Sequence, residues 1–347
     1  MPGPGLPLVS AIVPNYNYER SLARCLRALQ AQTYPSLEII VADDRSTDGS
    51  VGVARALGVA VHHTPVNRGV SAARNLGAAH ARGDVLFFVD SDVAPAPDAV
   101  ASAVALLGAD PALGAVCGVY EPIPMIRDSL VKEYRCLHHS YWMRASAGRI
   151  NTLHTAMCAM PAAVFAEIGP FEEALRHSED GEYGLRICRA YQVRSTTEIH
   201  GRHDHDGTLG VVLDKVFNRT RLHVPLFLRQ RGLPGEFANP TRASGSVAAL
   251  LALLTVPLLA VHPLLLAVPG ILLALALATD LDIYRYVRRE RGVWFLGYFL
   301  AIHTLANVAI AAGAVVGVLQ CLVSRKFRNT YAAATGRPAP RVTSGAA

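Results

Sequence analysis

The chain has 347 residues and a formal charge of +6, from 33 Lys plus Arg against 27 Asp plus Glu. Hydrophobic residues make up 51% and charged ones 17%, which excludes a largely disordered chain and falls below the roughly 25% charged residues of a soluble domain. Two stretches without Asp, Glu, Lys or Arg, residues 243–279 and 292–324, cause the imbalance; each exceeds the roughly 18 apolar residues that mark a bilayer span, so the expectation is a membrane protein with a soluble head.

Along the first 110 residues, short apolar runs alternate with helical patterns. Strands are expected over 8–13, 37–42, 58–62 and 84–89, and helices over 20–32, 50–57 and 71–81. Strands joined by short helices imply a mostly parallel sheet of the α/β class, which binds ligands beyond the carboxyl ends of its strands. Asp43-Asp44 and Asp90-Ser91-Asp92 both fall at that edge. Residues 115–119 read as a further strand, 134–142 as an aromatic and basic loop, and 162–168 and 181–191 as helices.

Residues 209–231 set Val212, Val216, Leu222, Leu226 and Phe227 among Lys215, Arg219, Arg221, Arg229 and Arg231, the pattern of one or two helices lying on a membrane surface. A Gly-, Pro- and Ser-rich linker follows over 233–246. The six cysteines show no CxxC pair, which points to a reduced, cytosolic head, and the opening residues do not read as an export signal. The basic residues lack the aromatic interleaving of a base-stacking surface. A membrane surface is the expected partner, and nucleic acid is not.

Asp90-Ser91-Asp92 puts two carboxylates one residue apart after an apolar strand, where both can face one hard divalent cation, Mg²⁺ or Mn²⁺, on a diphosphate. Taken residue by residue, other readings stay open: Asp43 and Asp44 can open a turn and cap a helix, Arg74 can pair with a surface acid, and Glu179-Asp180 can sit at the positive end of a helix.

In combination the motifs are more specific. Pro14-Asn15-Tyr16-Asn17, Gln32-Thr33-Tyr34-Pro35, Asp43-Asp44-Arg45-Ser46-Thr47-Asp48-Gly49, Asn67-Arg68-Gly69 with Ala73-Arg74-Asn75-Leu76-Gly77, the Asp-Ser-Asp triplet, Ile168-Gly169-Pro170-Phe171 and Ser178-Glu179-Asp180 follow one another in order. This series resembles family 2 glycosyltransferases of the GT-A fold, over roughly residues 8–230. The resemblance implies a nucleotide-sugar donor, most simply a UDP-sugar. Pro14, Asn15, Tyr16, Asp43, Asp44, Asn67 and Arg74 would hold the nucleotide, with Asp44, and Asp43 beside it, accepting from the base. Asp90 and Asp92 would hold the metal, with His203 as a late ligand and His205 as its rival, and Asp180 would be the general base. Two departures stand out: Val93 follows the triplet, and Asn151-Thr152-Leu153-His154-Thr155 replaces the usual Gly-rich segment. No Gln-x-x-Arg-Trp motif follows Asp180, so transfer of one sugar per acceptor is expected, with inversion.

The expected organisation is therefore a GT-A head over 1–208, interface helices and linker over 209–245, a transmembrane region over 246–324 and a basic, disordered tail over 325–347. His262-Pro263 would turn the first apolar stretch into a hairpin, residues 284–291 would form a basic cytosolic loop, and the crossings would be even in number, in an inner membrane with the head in the cytosol. That placement favours a lipid or glycolipid acceptor. A soluble small-molecule acceptor and a catalytically silent nucleotide-sugar-binding scaffold are the alternatives.

Overall fold

The computed structural model describes residues 5–175, 179–230 and 240–330. Ser178, Arg231, the linker over 233–239 and the tail beyond 330 lie outside the described residues, as do the side chains of Leu226 and Arg229. The chain forms two compact units: Met1–Arg127 with Trp142–His205, and Asp128–Tyr141 with Asp206–Thr335.

The first unit opens with β1 (Val9–Asn15), which is buried at every position, as a strand covered on both faces by helices must be. In α1 (Glu19–Gln30) the apolar residues recur at helical spacing, and Leu22, Cys25, Leu26 and Leu29 form its buried face. The alternation continues through β2 (Leu37–Asp43), α2 (Ser50–Ala56), β3 (Ala60–His63), α3 (Val70–His80) and β4 (Val85–Val89). β1 pairs in parallel with both β2 and β4, and β2 with β3. The order β3-β2-β1-β4 reverses direction at β1, which opens a crevice at the carboxyl ends of β1 and β4.

The sheet then continues through elements that the sequence reading left out or assigned differently. After β5 (Val93–Pro95), α4 (Ala99–Ala109) and β6 (Leu113–Tyr120), residues 134–142 are not a loop but belong to a helix, α5 (Leu130–Ala145). No Gly or Pro interrupts that segment, and Tyr134 and Leu137, three residues apart, are both buried. β7 (Gly148–Ile150) leads to β8 (Met157–Pro161), which fills the sheet between β4 and β6, antiparallel to both. α6 (Ala162–Ile168) and α7 (Glu179–Ile187) precede β9 (Gln192–His203). In β9, Ser195 and Thr196 are buried among apolar residues, which hides the alternation of a strand. Among the described residues the sheet has nine strands and is mixed: β3, β2, β1 and β4 run parallel at the crevice, and β6 and β9 form a second parallel pair beyond β8.

The second unit is helical and includes α5 as far as Tyr141. Residues 209–230 form a single helix, α8 (Leu209–Gln230), that keeps Pro225 inside it. It packs along a later apolar helix, α11 (Leu281–Val323), where Gly313 and Gly317 allow close approach: a Cβ would lie 2.4 Å from the Phe217 carbonyl oxygen and 2.7 Å from that of Arg221. Between them, α9 (Pro240–Thr255) and α10 (Ala267–Ala278) pack on each other across a bend near His262-Pro263. α12 (Arg325–Arg328) closes the described chain.

The expected basic loop at 284–291 is instead the first arm of α11, which breaks at Gly292 with φ +80°. Beyond it the helix runs unbroken over 293–323, about 46 Å, so this stretch offers one crossing and not two. Arg285, Arg288 and Arg289 precede that helix, and Arg325, Lys326 and Arg328 follow it. If it spans a bilayer, the two basic groups face opposite sides, and the expected even number of crossings with both groups in the cytosol does not follow. Pro240–Ala260 and Leu281–Val323 are long and apolar enough to cross a membrane, and in their most apolar windows only 22% and 33% of residues are buried, unlike the core helices of a soluble protein.

Phe88 on β4 is fully buried, with the Phe171 ring edge-on at 5.5 Å and Phe165 at 6.0 Å. Phe88→Ala should cost about 3–5 kcal/mol, read as a lower thermal transition in detergent; a loss under about 1 kcal/mol would show that this layer is not the core of the head.

Candidate active site

The carboxyl ends of β1 and β2 are tied into one platform. Asn15 is buried, and its amide donates to Asp43 Oδ1 at 2.9 Å and to Ser46 Oγ at 3.0 Å. Asn17, held at φ +60°, accepts from the Thr47 backbone at 2.8 Å. Asp43 also accepts from the Ser46 hydroxyl and backbone, and His63 Nδ1 stands 3.1 Å from its Oδ2. Burial pushes the Asp43 carboxyl up, but the donors from Ser46, Asn15 and His63 outweigh it and hold it below the ordinary carboxylate range. Asp43, Arg45, Ser46, Thr47, Val51 and His63 line a cleft of about 430 Å³.

Asp44, next in sequence, points elsewhere. It is buried and accepts from Thr64 Oγ1 at 2.7 Å, Arg68 N at 2.9 Å and Gly69 N at 2.6 Å, while Asn67 donates to its carbonyl at 3.1 Å. Its carboxylate therefore fixes the loop that opens α3, where Gly69 takes φ +95°. Of the acidic pair, Asp43 borders the cleft and Asp44 shapes its surroundings. Pro14 is buried near the end of β1 and Tyr16 is exposed beside it.

Arg74 lies at the junction of the two acidic motifs. Only 3% of its side chain is exposed, and its guanidinium reaches Asp90 Oδ1 at 3.0 Å, Glu179 Oε1 at 3.1 Å and Asp180 Oδ1 at 3.4 Å. Burial disfavours the cation, but Asp90, Asp180 and Glu179 hold its pKa above the ordinary arginine value. Sequence reasoning placed Arg74 on the nucleotide; the structure places it among carboxylates. Asp180 opens α7 and also accepts from Thr155 Oγ1 at 2.6 Å. Its carboxyl is pushed up to about 6, first by burial and then by Glu179, against the pull of Arg74 and Thr155. One side of it still meets solvent, with 36% of the side chain exposed.

Asp92 is buried, and burial followed by the Asp90 charge raises its pKa against the pull of His203 and a hydrogen bond from Tyr18. Its Oδ1 has no hydrogen-bond partner. His203 Nε2 is 3.6 Å from that oxygen, and the His203 ring stacks on His205 at 3.9 Å, with Tyr120 against both. Of the two histidines, His203 is therefore the one that faces Asp92. Among the described residues, no three His, Cys, Asp or Glu groups enclose a metal ion by themselves. A buried, unsatisfied carboxylate oxygen with a second carboxylate and an imidazole nearby nevertheless fits a hard divalent ion whose remaining ligands are phosphate oxygens and water.

Thr155, Glu179, His63 and Tyr18 escaped sequence reasoning as site residues. His63 ends a strand at the same edge as the acidic clusters, which was a usable signal. Thr155 lies in the segment that departs from the family pattern, and nothing in its spacing links it to Asp180.

Comparison with known proteins agrees with this architecture. Residues 10–166 match the family model described as glycosyl transferase family 2. Glycosyltransferase AglE of Haloferax volcanii is 27% identical over 237 residues, covering 65% of this chain and 76% of the relative. An uncharacterized glycosyltransferase of Haemophilus influenzae is 39% identical over 92 residues, covering 25% of this chain and 37% of its own length. A mannosyltransferase from Pyrobaculum calidifontis, solved with GDP-Man and Mn²⁺, has a similar fold, with a TM-score of 0.55 and 22% identity over 90% of this chain and 87% of its own.

Asp44→Ala would leave the Thr64, Arg68 and Gly69 donors without their acceptor. The expected loss is on the order of 3 kcal/mol, since hydrogen bonds to a charged group contribute about 1.5–3 kcal/mol each. Thermal unfolding measures it, and an unchanged transition would mean that the carboxylate does not hold this loop.

Proposed function

We propose that this chain, whose residues 10–166 match the glycosyl transferase family 2 model, moves one sugar from a nucleotide-sugar donor to a membrane-held acceptor, with inversion at the anomeric carbon. One observation carries the proposal: Arg74 gathers Asp90 of the triplet and Asp180 of α7, which are far apart in sequence, around one guanidinium. The nucleotide would occupy the cleft beside Asp43 and His63, and a panel of UDP- and GDP-sugars decides its base. Asp90, Asp92 and His203 would hold a divalent ion, Mg²⁺ or Mn²⁺. When bound, such an ion stabilises the negative charge that develops on the departing diphosphate.

The chain's own residues supply the rest. An acceptor hydroxyl is a poor nucleophile near neutral pH, so a carboxylate must take its proton as the new bond forms. The geometry around Asp180 supports this role: Oδ1 accepts from Thr155 and Arg74, while among the described residues no donor reaches Oδ2. A carboxyl with a pKa raised to about 6 is mostly ionised at pH 7 and more basic than an ordinary aspartate. A single displacement of this kind inverts the sugar and needs no protein nucleophile.

The membrane acceptor is supported by the exposed apolar faces of Pro240–Ala260 and Leu281–Val323, which lipid would cover. The cytosolic head is supported by its free cysteines. The division into a head over 1–208, interface helices over 209–245 and a membrane region over 246–324 belongs to the same proposal.

Asp180→Asn should lower turnover by about a thousandfold or more while donor binding persists. An Asp180→Asn protein that transfers sugar at the parental rate would exclude Asp180 as the base. Because the carboxyl must be ionised to accept a proton, kcat/KM should fall as pH drops through about 6; a profile flat down to pH 4.5 would contradict that role. Membranes given labelled donor and Mn²⁺ should carry label into organic solvent, and label found only on water-soluble product would contradict the lipid acceptor.

A further inference from the structure

The segment over 151–155 is where this chain leaves the family pattern, and it passes directly behind the reacting carboxylate. We propose that Thr155 is a positioning residue for the transfer reaction: its hydroxyl fixes Asp180 Oδ1 and thereby leaves Oδ2 as the oxygen that faces the acceptor. The inference rests on the reading of Asp180 as the base.

The geometry is specific. Thr155 is fully buried, and its Oγ1 donates to Asp180 Oδ1 at 2.6 Å, the short distance of a hydroxyl bonded to a charged oxygen. Arg74 Nη1 approaches the same oxygen at 3.4 Å from α3. Two donors from different elements therefore converge on Oδ1, which fixes the rotation of the carboxylate in a way neither would alone. The backbone supports the arrangement. Leu153 N donates to the Asp180 carbonyl at 3.4 Å, and Gly184, one turn beyond Asp180 on α7, packs so closely on the segment that a Cβ would lie 2.5 Å from Thr152 Cα. The segment thus serves as a backstop for the start of α7.

The charged and titratable groups around Asp180 are Arg74 from α3, Asp90 after β4, Glu179 on α7 itself, the buried His154 beside Thr155 and Cys158 on β8. Within this set Thr155 is an uncharged donor. Removing its hydroxyl alters one hydrogen bond to the carboxylate and leaves the surrounding charges in place, so the effect can be read directly from kinetics.

The test uses the full chain in membranes or detergent, with Thr155→Val as a near-isosteric loss of the hydroxyl and Thr155→Ser as its restoration. In Thr155→Val, kcat at pH 7 should fall roughly tenfold and the acid limb should move to higher pH by about one unit, because the ionised carboxylate loses a donor, while donor KM stays within about twofold. Thr155→Ser should recover both the rate and the limb. A Thr155→Val protein with the parental profile would overturn the proposal, as would a Thr155→Ser protein impaired as much as Thr155→Val, since that would point to packing of the methyl group. Asp180→Asn, run in parallel, separates the two claims. If it is silent and Thr155→Val is unaffected, only the positioning role fails; if it keeps parental turnover, the base assignment fails and takes the positioning role with it.

Discussion

A buried guanidinium surrounded by carboxylates organises the head. Arg74 is almost completely withdrawn from solvent, a placement that costs several kcal/mol unless the charge is paired. Pairing with Asp90, Glu179 and Asp180 resolves that cost, and the reverse also holds: without the cation, these acids would repel one another at close range. One residue on α3 thereby brings together the turn after β4 and the start of α7, which the chain alone would leave independent. The parallel strands make this possible by ending at one edge, and the reversal of strand order at β1 opens the crevice above them.

Much of this was legible in the sequence where apolar runs end in acids. The strands leading to Asp43 and Asp90 are short and strongly hydrophobic, so their ends could be placed closely. The part less legible was how the acids divide their work. Asp43 and Asp44 are adjacent and chemically identical, yet one borders the cleft while the other is consumed by backbone donors of the Arg68–Gly69 turn. That difference depends on which way a side chain leaves the end of a strand, and composition carries no trace of it. Arg74 was singled out in the sequence, but its partners were not, for a similar reason: they lie 16 and more than 100 residues away. Strand β8 was missed because it carries Met, Cys and Ala where a β-branched run would have announced it, and β9 because charged and polar residues interrupt its Val, Thr and Ile.

The helical unit follows a different logic. Its apolar helices expose leucine and valine along most of their length, with Val323 at 84% and Leu264 at 78%, and Trp294 is 92% exposed at the break after Gly292. Surfaces of this kind are unfavourable in water and ordinary in lipid. Two polar pairs lie inside the unit: His303 and Asp280 stand 2.9 Å apart, and Ser246 donates to Asn307 at 2.9 Å. Buried pairs of this type fix the register between helices that apolar packing alone would leave loosely specified. The glycines at 313 and 317 contribute in another way, by letting α8 lie against the apolar helix at backbone distance.

The central claim is that the cation of Arg74 joins Asp90 of the triplet to Asp180 of α7, the proposed base. The most direct measurement is the pH dependence of sugar transfer by Arg74→Met, with Arg74→Lys as the charge-preserving control and thermal unfolding recorded on both. Loss of the cation should lift the acid limb above the parental position by one pH unit or more, and lysine should restore most of the shift. A folded Arg74→Met protein whose profile superimposes on that of the parent would contradict the account.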